Sequence, residues 1–179
     1  SSTLGGIFGG PPSAMTDVFF SYSSKDRERV RRFKDGLEAL RFSVFWDLET
    51  PTGKEWNSWI RENLDRARCV VVFWSGNSLD SDPVKTEADE AKRQGKLLPV
   101  QIDSTLDMRK LPLGHDRMQF TSMVDWSGDT NVPAWRGLVD QIEQMATPPW
   151  VLRRLAEKDA ELRTERRQSE MAVAAEKAA

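Results

Sequence analysis

Apolar residues recur along this chain in short blocks, and the spacing within the blocks switches between contiguous and every third or fourth position. The contiguous blocks are rich in aromatic and β-branched residues and predict strands over 17–23 (DVFFSYS), 42–47 (FSVFWD), 69–75 (CVVVFWS), 96–103 (KLLPVQID) and 121–126 (TSMVDW). Between them, Val30, Phe33, Leu37 and Leu40 form one helical face, with Asp26 as a capping candidate near its N-terminus. Trp56, Trp59, Ile60 and Leu64 form a second face, and Trp135, Leu138, Ile142 and Met145 a later one. Residues 104–120 carry no clear period.

Strands alternating with amphipathic helices predict right-handed crossovers and a parallel sheet covered on both faces. The run CVVVFW, apolar at every position, suits a central strand. The expected fold is α/β, a flavodoxin-like five-stranded parallel sheet in the order 2-1-3-4-5 with helices on both faces. In that order the topological switch lies between strands 1 and 3, and ligands bind beyond their carboxyl ends. Tyr22, Ser23, Ser24 and Lys25 should line one side of the crevice, and Trp74, Ser75 and the segment after them the other.

That segment contains an oddity. In a helix opening near Val84, the apolar stripe runs through Val84, Ala88 and Ala91, and Glu87 interrupts it. At about 100° per residue, Glu87 lies nearest the stripe's centre, whereas Asp89 and Glu90 point toward solvent.

Three segments follow from the pattern: 1–15, Gly/Pro/Ser-rich, a flexible linker or cloning remnant without the basic and apolar regions of a signal peptide; 16–146, the folded domain; and 147–179, a charged helix. In the last, Leu155 and Leu162 are seven apart, but Ser169 follows. The segment is either a solvated linker helix or a coiled coil, and the heptad seam is not sustained.

Charge and composition narrow the chemistry. With 26 basic and 28 acidic residues among 179, the net charge of −2 gives no field that favours nucleic acid or anionic lipid. No apolar run reaches the roughly 20 residues of a membrane span. Cys69 is the single cysteine, within an apolar run, and excludes a disulfide framework; a reducing cytoplasm fits. With one histidine, His115, a metal site has almost no raw material. No glycine-rich phosphate loop follows any predicted strand, and the ends of strands 1 and 3 lack the acidic residues of a magnesium-dependent receiver.

DVFFSYSSKD, VFWD followed by TGKEW, CVVVFWSGNSLDSDPVKTEADEA, LLPVQID and DWSGD, in that order, resemble the blocks of TIR (Toll/interleukin-1 receptor/resistance protein) domains, bacterial type, over roughly residues 16–146. The resemblance implies one of two functions. The first is an NAD⁺ glycohydrolase that splits the nicotinamide–ribose bond to give nicotinamide and ADP-ribose or a cyclic variant, activated by self-assembly in bacterial immunity or as an effector. The second is a non-catalytic adaptor acting through TIR–TIR contacts. For the enzyme it implies Glu87 as catalytic residue, NAD⁺ as substrate rather than cofactor, and no metal. Tyr22, Ser23, Ser24, Trp46, Asp47, Trp74, Ser75 and Ser78 are candidates for contact with the dinucleotide. Trp46 and Trp74 are either stacking surfaces or core, and the Ser-rich block is also a candidate helix-capping loop. The loop Leu48–Asn57, with Lys54 and Trp56, resembles the family's assembly loop; otherwise it is a surface turn with Trp56 folded inward. One departure stands out: where several of the enzymes carry an aromatic four residues before the glutamate, this chain has Pro83, which offers much less stacking surface.

Overall fold

The computed structural model describes residues 16–46, 54–147 and 149–178, with the backbone alone at 54–56, 149 and 150. The expectations for residues 1–15, for Asp47 and for most of the 48–57 loop, including the side chains of Lys54 and Trp56, therefore lie outside the described residues. The chain divides into two units, one ending at Ala146 and one beginning at Thr147.

In the first unit, β1 (Val18–Ser21), α1 (Arg27–Ala39), β2 (Val44–Phe45), α2 (Lys54–Arg66), β3 (Cys69–Trp74), α3 (Asp82–Arg93), β4 (Leu97–Gln101), β5 (Thr121–Ser122) and α4 (Pro133–Met145) follow in order. The strands form one sheet in the order β2-β1-β3-β4-β5, all pairs parallel, as the alternation of elements predicts. The register aligns Val18 with Cys69 and Val70 with Leu97.

The pleat sorts the core into two layers. Val18, Phe20 and Tyr22 of β1 and Cys69, Val71 and Phe73 of β3 face α1 and α4, packing with Phe33, Leu37, Trp135, Leu138 and Ile142. Phe19, Val70, Val72 and Trp74 face the other way, onto Ile60 and Leu64 of α2 and Val84, Ala88 and Ala91 of α3.

Several elements differ from the sequence expectation. Only Val44 and Phe45 of the predicted 42–47 strand pair, and only Thr121 and Ser122 of 121–126. After Ser122 the Met123 amide still donates to the Gln101 carbonyl at 2.8 Å, but Asp125 takes a left-handed φ of 56° and Trp126 turns inward onto Trp135, their rings stacked at 4.5 Å. A single residue with positive φ ends strand geometry. Residues 104–120 contain a short 3-10 turn at Met108–Lys110 and are held by buried Leu111 and His115, whose Nε2 lies 2.7 Å from Asp89 Oδ1. Asp26 does not cap α1; its side chain makes no capping bond and is used elsewhere.

The second unit is the helix α5 (Pro149–Ala178), whose residues from Leu152 onward are exposed.

Candidate functional site

Both ends of α3 are fixed by local chemistry. At its start, Ser81 adopts extended backbone and its hydroxyl accepts from the Val84 amide at 3.4 Å, while Pro83 occupies the first turn, where its missing N–H costs nothing. At its end, Gly95 takes φ 70°, its amide reaches the Lys92 carbonyl at 3.0 Å, and the Lys96 amide reaches Ala91 at 3.1 Å. These are the paired bonds of a Schellman stop, a position at which glycine carries no Cβ penalty. Val84, Ala88 and Ala91 are thereby pressed onto the sheet, and Glu87 is carried with them.

Glu87 lines a cleft of about 850 Å³ between α2 and α3, together with Ile60, Arg61 and Leu64 from one wall and Pro83 and Thr86 from its own. Burial raises its pKa from 4.5 to about 7, since a charged carboxylate loses its hydration there. The Ser21 hydroxyl works in the opposite sense as a hydrogen-bonding neighbour, although this buried oxygen completes no full hydrogen bond. No salt bridge reaches Glu87 among the described residues, and no cation contributes to its shift. Its neighbours differ. Glu90 is held down to about 2 by hydrogen bonds from Arg93 and Gln94. Asp89 is exposed and bound to His115. The carboxylate that interrupts the apolar stripe thus has no ion pair among the described residues, whereas Glu90 is paired with Arg93 and Asp89 is hydrogen-bonded to His115.

The residues expected around the dinucleotide do not gather at Glu87. Trp74 is fully buried between sheet and helices, edge-on to His115 at 6.0 Å, so it presents no face to a ligand ring; of the two readings offered by the sequence, core is the one the packing realises. Ser75 and Ser78 are also fully buried. The Ser75 amide donates to Ser78 Oγ at 2.7 Å, the Ser78 amide to Ser75 Oγ at 3.1 Å, and the Ser75 hydroxyl to Asp26, so neither hydroxyl is available to ribose or phosphate in this conformation. Tyr22 is buried on the α1 side, its hydroxyl donating to the Trp46 carbonyl at 2.6 Å and its ring stacked on Trp46 at 6.3 Å. Trp46 is half-buried and receives Arg27, Lys34 and Arg31 over its ring at 4.6, 5.2 and 5.9 Å. Ser23 caps the 3-10 turn before α1, accepting from Lys25 N at 3.4 Å, and Ser24 is exposed.

Strand parity explains the separation. Ser21 follows Phe19 on the α3 face, and Tyr22 follows Phe20 on the α1 face, so a list of consecutive residues at the end of β1 draws from both sides of the sheet. Ser21, which sequence reasoning missed, was legible as the polar member of the Phe19 face. Arg61 was legible only as an exposed helix residue, because its place on the cleft wall depends on how α2 and α3 approach. Among the described residues no group of His, Cys, Asp and Glu is arranged to hold a metal ion. Nor does any helix among them have the length and apolarity to cross a membrane.

Comparison with known proteins agrees with this architecture. No curated protein matches the chain by sequence. Among solved structures, the TIR domain of the Toll-related receptor TRR-2 from Hydra magnipapillata superposes with a TM-score of 0.58 at 17% identity, covering 72% of this chain and 98% of that one. A metazoan TIR-STING receptor from C. gigas, solved in complex with 2′,3′-cGAMP, gives a TM-score of 0.56 at 18% identity; the match covers 73% of this chain and 39% of the receptor. Likeness at these identities speaks to the fold. The family itself is shown by the TIR domain profile, which matches residues 18–139, the span from the first residue of β1 into α4. The chain belongs to the TIR domain family.

Proposed function

We propose that this TIR domain cleaves NAD⁺ at the bond between nicotinamide and ribose, with Glu87 as the catalytic carboxylate. One observation carries the reading: Glu87 lines the cleft as a carboxylate whose charged form burial disfavours, and among the described residues no salt bridge reaches it. A site of this kind favours a positive charge brought by the ligand, because a charge pair gains strength once the ligand displaces water from the cleft.

The chemistry needs little else. The pyridinium nitrogen departs with the electron pair of the C1′–N bond and leaves as neutral nicotinamide, so no acid is required to protonate it. Positive charge moves onto the ribose as an oxocarbenium ion, which ionised Glu87 stabilises across the cleft. Water then adds to C1′ and gives up its proton, to Glu87 or to solvent, yielding ADP-ribose; attack by a group of the same molecule gives a cyclic variant. The Ser21 hydroxyl, a buried neighbour that completes no hydrogen bond in the fold, is free to turn to the carboxylate. In this reading the domain serves bacterial immunity or acts as an effector, and self-assembly through the loop Leu48–Asn57 switches it on.

A second reading has an observation of its own. The ring of Trp74 and the hydroxyls of Ser75 and Ser78 are consumed inside the fold, and Pro83 stands where an aromatic would stack. Those features favour an adaptor that acts through TIR–TIR contacts alone.

Nicotinamide release from NAD⁺ separates the two. The concentrated protein should release nicotinamide, and Glu87→Gln should reduce the rate by at least about 10³-fold, the usual cost of removing a charge that stabilises the transition state. Absence of turnover at every protein concentration would leave the adaptor. Turnover that survives Glu87→Gln would move the reaction to another residue.

A further inference from the structure

The crevice beyond β1 and β3 is filled by the protein itself. Asp26, whose side chain is entirely out of solvent, lies where this fold class usually receives a ligand. The Ser75 hydroxyl and the Arg29 guanidinium bond to its carboxylate, and Asn77 Nδ2 donates to Oδ1 at 2.9 Å. Arg29 also approaches Asp103 at 3.7 Å, and Asp103 accepts from the Gly76 amide at 3.0 Å. The loops after β1, β3 and β4 therefore converge on two carboxylates and one guanidinium.

From this anchor an unbroken run of hydrogen bonds leads to α3. Ser75 and Ser78 hold each other reciprocally, the Ser81 amide bonds to the Ser78 carbonyl at 3.0 Å, and Ser81 in turn caps the helix at Val84, one turn before Glu87. We infer that Asp26 is a positioning residue for Glu87: its carboxylate is the internal anion around which the 75–81 turn is wound, and that turn fixes where α3 begins and how deeply Glu87 sits. The inference rests on Glu87 as the reacting carboxylate. Ser75 faces the α1 side of the sheet and Glu87 the α3 side, so the coupling runs through the turn rather than through contact between the two carboxylates.

A buried carboxylate held by three donors should be replaceable by a free anion of the same shape. Asp26→Gly removes the group and leaves space for formate, and Asp26→Asn keeps the volume while losing the charge. The titration midpoint of the Glu87 carboxyl, followed by carbon NMR in the full chain and assigned by Glu87→Gln, reports burial at α3 independently of turnover. In both variants the midpoint should move down from about 7 toward 4.5 as water enters. Nicotinamide release should slow by on the order of 10²-fold, the cost of misplacing a reacting group by about 1 Å. Formate, but not chloride at equal ionic strength, should restore midpoint and rate in Asp26→Gly. If that variant does not fold, Asp26→Asn alone decides. A merely structural Asp26 would lower the melting temperature and leave the Glu87 midpoint unchanged, and that result overturns the inference. Should the unsubstituted chain show no turnover, the NAD⁺ reading fails, and the midpoint still decides whether Asp26 positions Glu87.

Discussion

Glu87 carries a stability cost that can be measured without any substrate. Burial pushes its carboxyl up to about 7 in the fold from 4.5 when solvated. Below pH 4.5 it is protonated in both states and contributes nothing. As pH rises from 4.5 to about 7 the unfolded chain releases its proton first, so native stability declines, and the decline is complete above about 7. The shift corresponds to up to about 3 kcal/mol. Glu87→Gln should therefore match the parent at pH 4 and exceed it at pH 8, as read from urea midpoints at the two pH values. An equal or less stable variant at pH 8 would mean that the carboxylate is not desolvated. The same titration governs the proposed reaction in the opposite direction: kcat/KM for NAD⁺ should climb with pH and level off above about 7, because only the ionised form stabilises a cation. A carboxylate held in the fold at a cost to stability is what the proposed catalytic role requires. Glu87 stood out in the sequence as a carboxylate set into an otherwise apolar stripe, and the structure places it on the face of α3 that carries that stripe. Ser75, Ser78 and Trp74 fall at the end of β3 where the sequence places them, but what their side chains touch was not legible. Their hydroxyls and ring are consumed by Asp26, by each other and by the core, and partners far apart in sequence leave no local trace.

At the level of elements, the order and direction of the strands could be read because contiguous apolar runs and helical spacing alternate without interruption. Strand lengths could not, because pairing depends on the neighbour. β4 pairs with β5 only from Val100 onward, so Pro99, which cannot donate a hydrogen bond, sits where β4 has a single neighbour, β3. Helix packing hides another constraint. Gly36 in α1 looks like a weak point, since glycine costs about 1 kcal/mol relative to alanine inside a helix. A Cβ there would lie 2.7 Å from the ring of Trp135, which is itself stacked flat on Trp126 against Phe33. Three aromatic rings cannot all give way, so the clash outweighs the propensity gain. Gly36→Ala should lower stability by about 1–3 kcal/mol, the usual penalty for overpacking a filled core. Calorimetry of the two proteins tests it, and a higher melting temperature in the variant would show that the Trp126–Trp135 stack is free to shift.

Across the whole molecule, the two units are stabilised in different ways. The α/β unit has a core on each face of its sheet and should unfold cooperatively. The α5 helix buries almost nothing: its described side chains from Leu152 onward are exposed, and its leucines at 152, 155 and 162 are each about half accessible. What supports it is local, namely a composition rich in Ala, Glu, Arg and Leu and the i,i+4 pairs Asp159–Arg163 at 2.7 Å and Arg166–Glu170 at 3.1 Å, worth a few tenths of a kcal/mol each. Such a helix melts gradually over a broad range. A chain ending at Ala146 should therefore lose helical circular dichroism while keeping the midpoint of its cooperative transition within about 2 °C, since only groups that change burial on unfolding move that midpoint appreciably. It should also keep the proposed nicotinamide release at equal concentration, because Glu87, Ser21 and the cleft walls all lie in the first unit. A fall of many degrees on truncation would mean that α5 is a structural part of the α/β unit. An unchanged midpoint with turnover lost only in dilute protein would instead give α5 the task of bringing copies together.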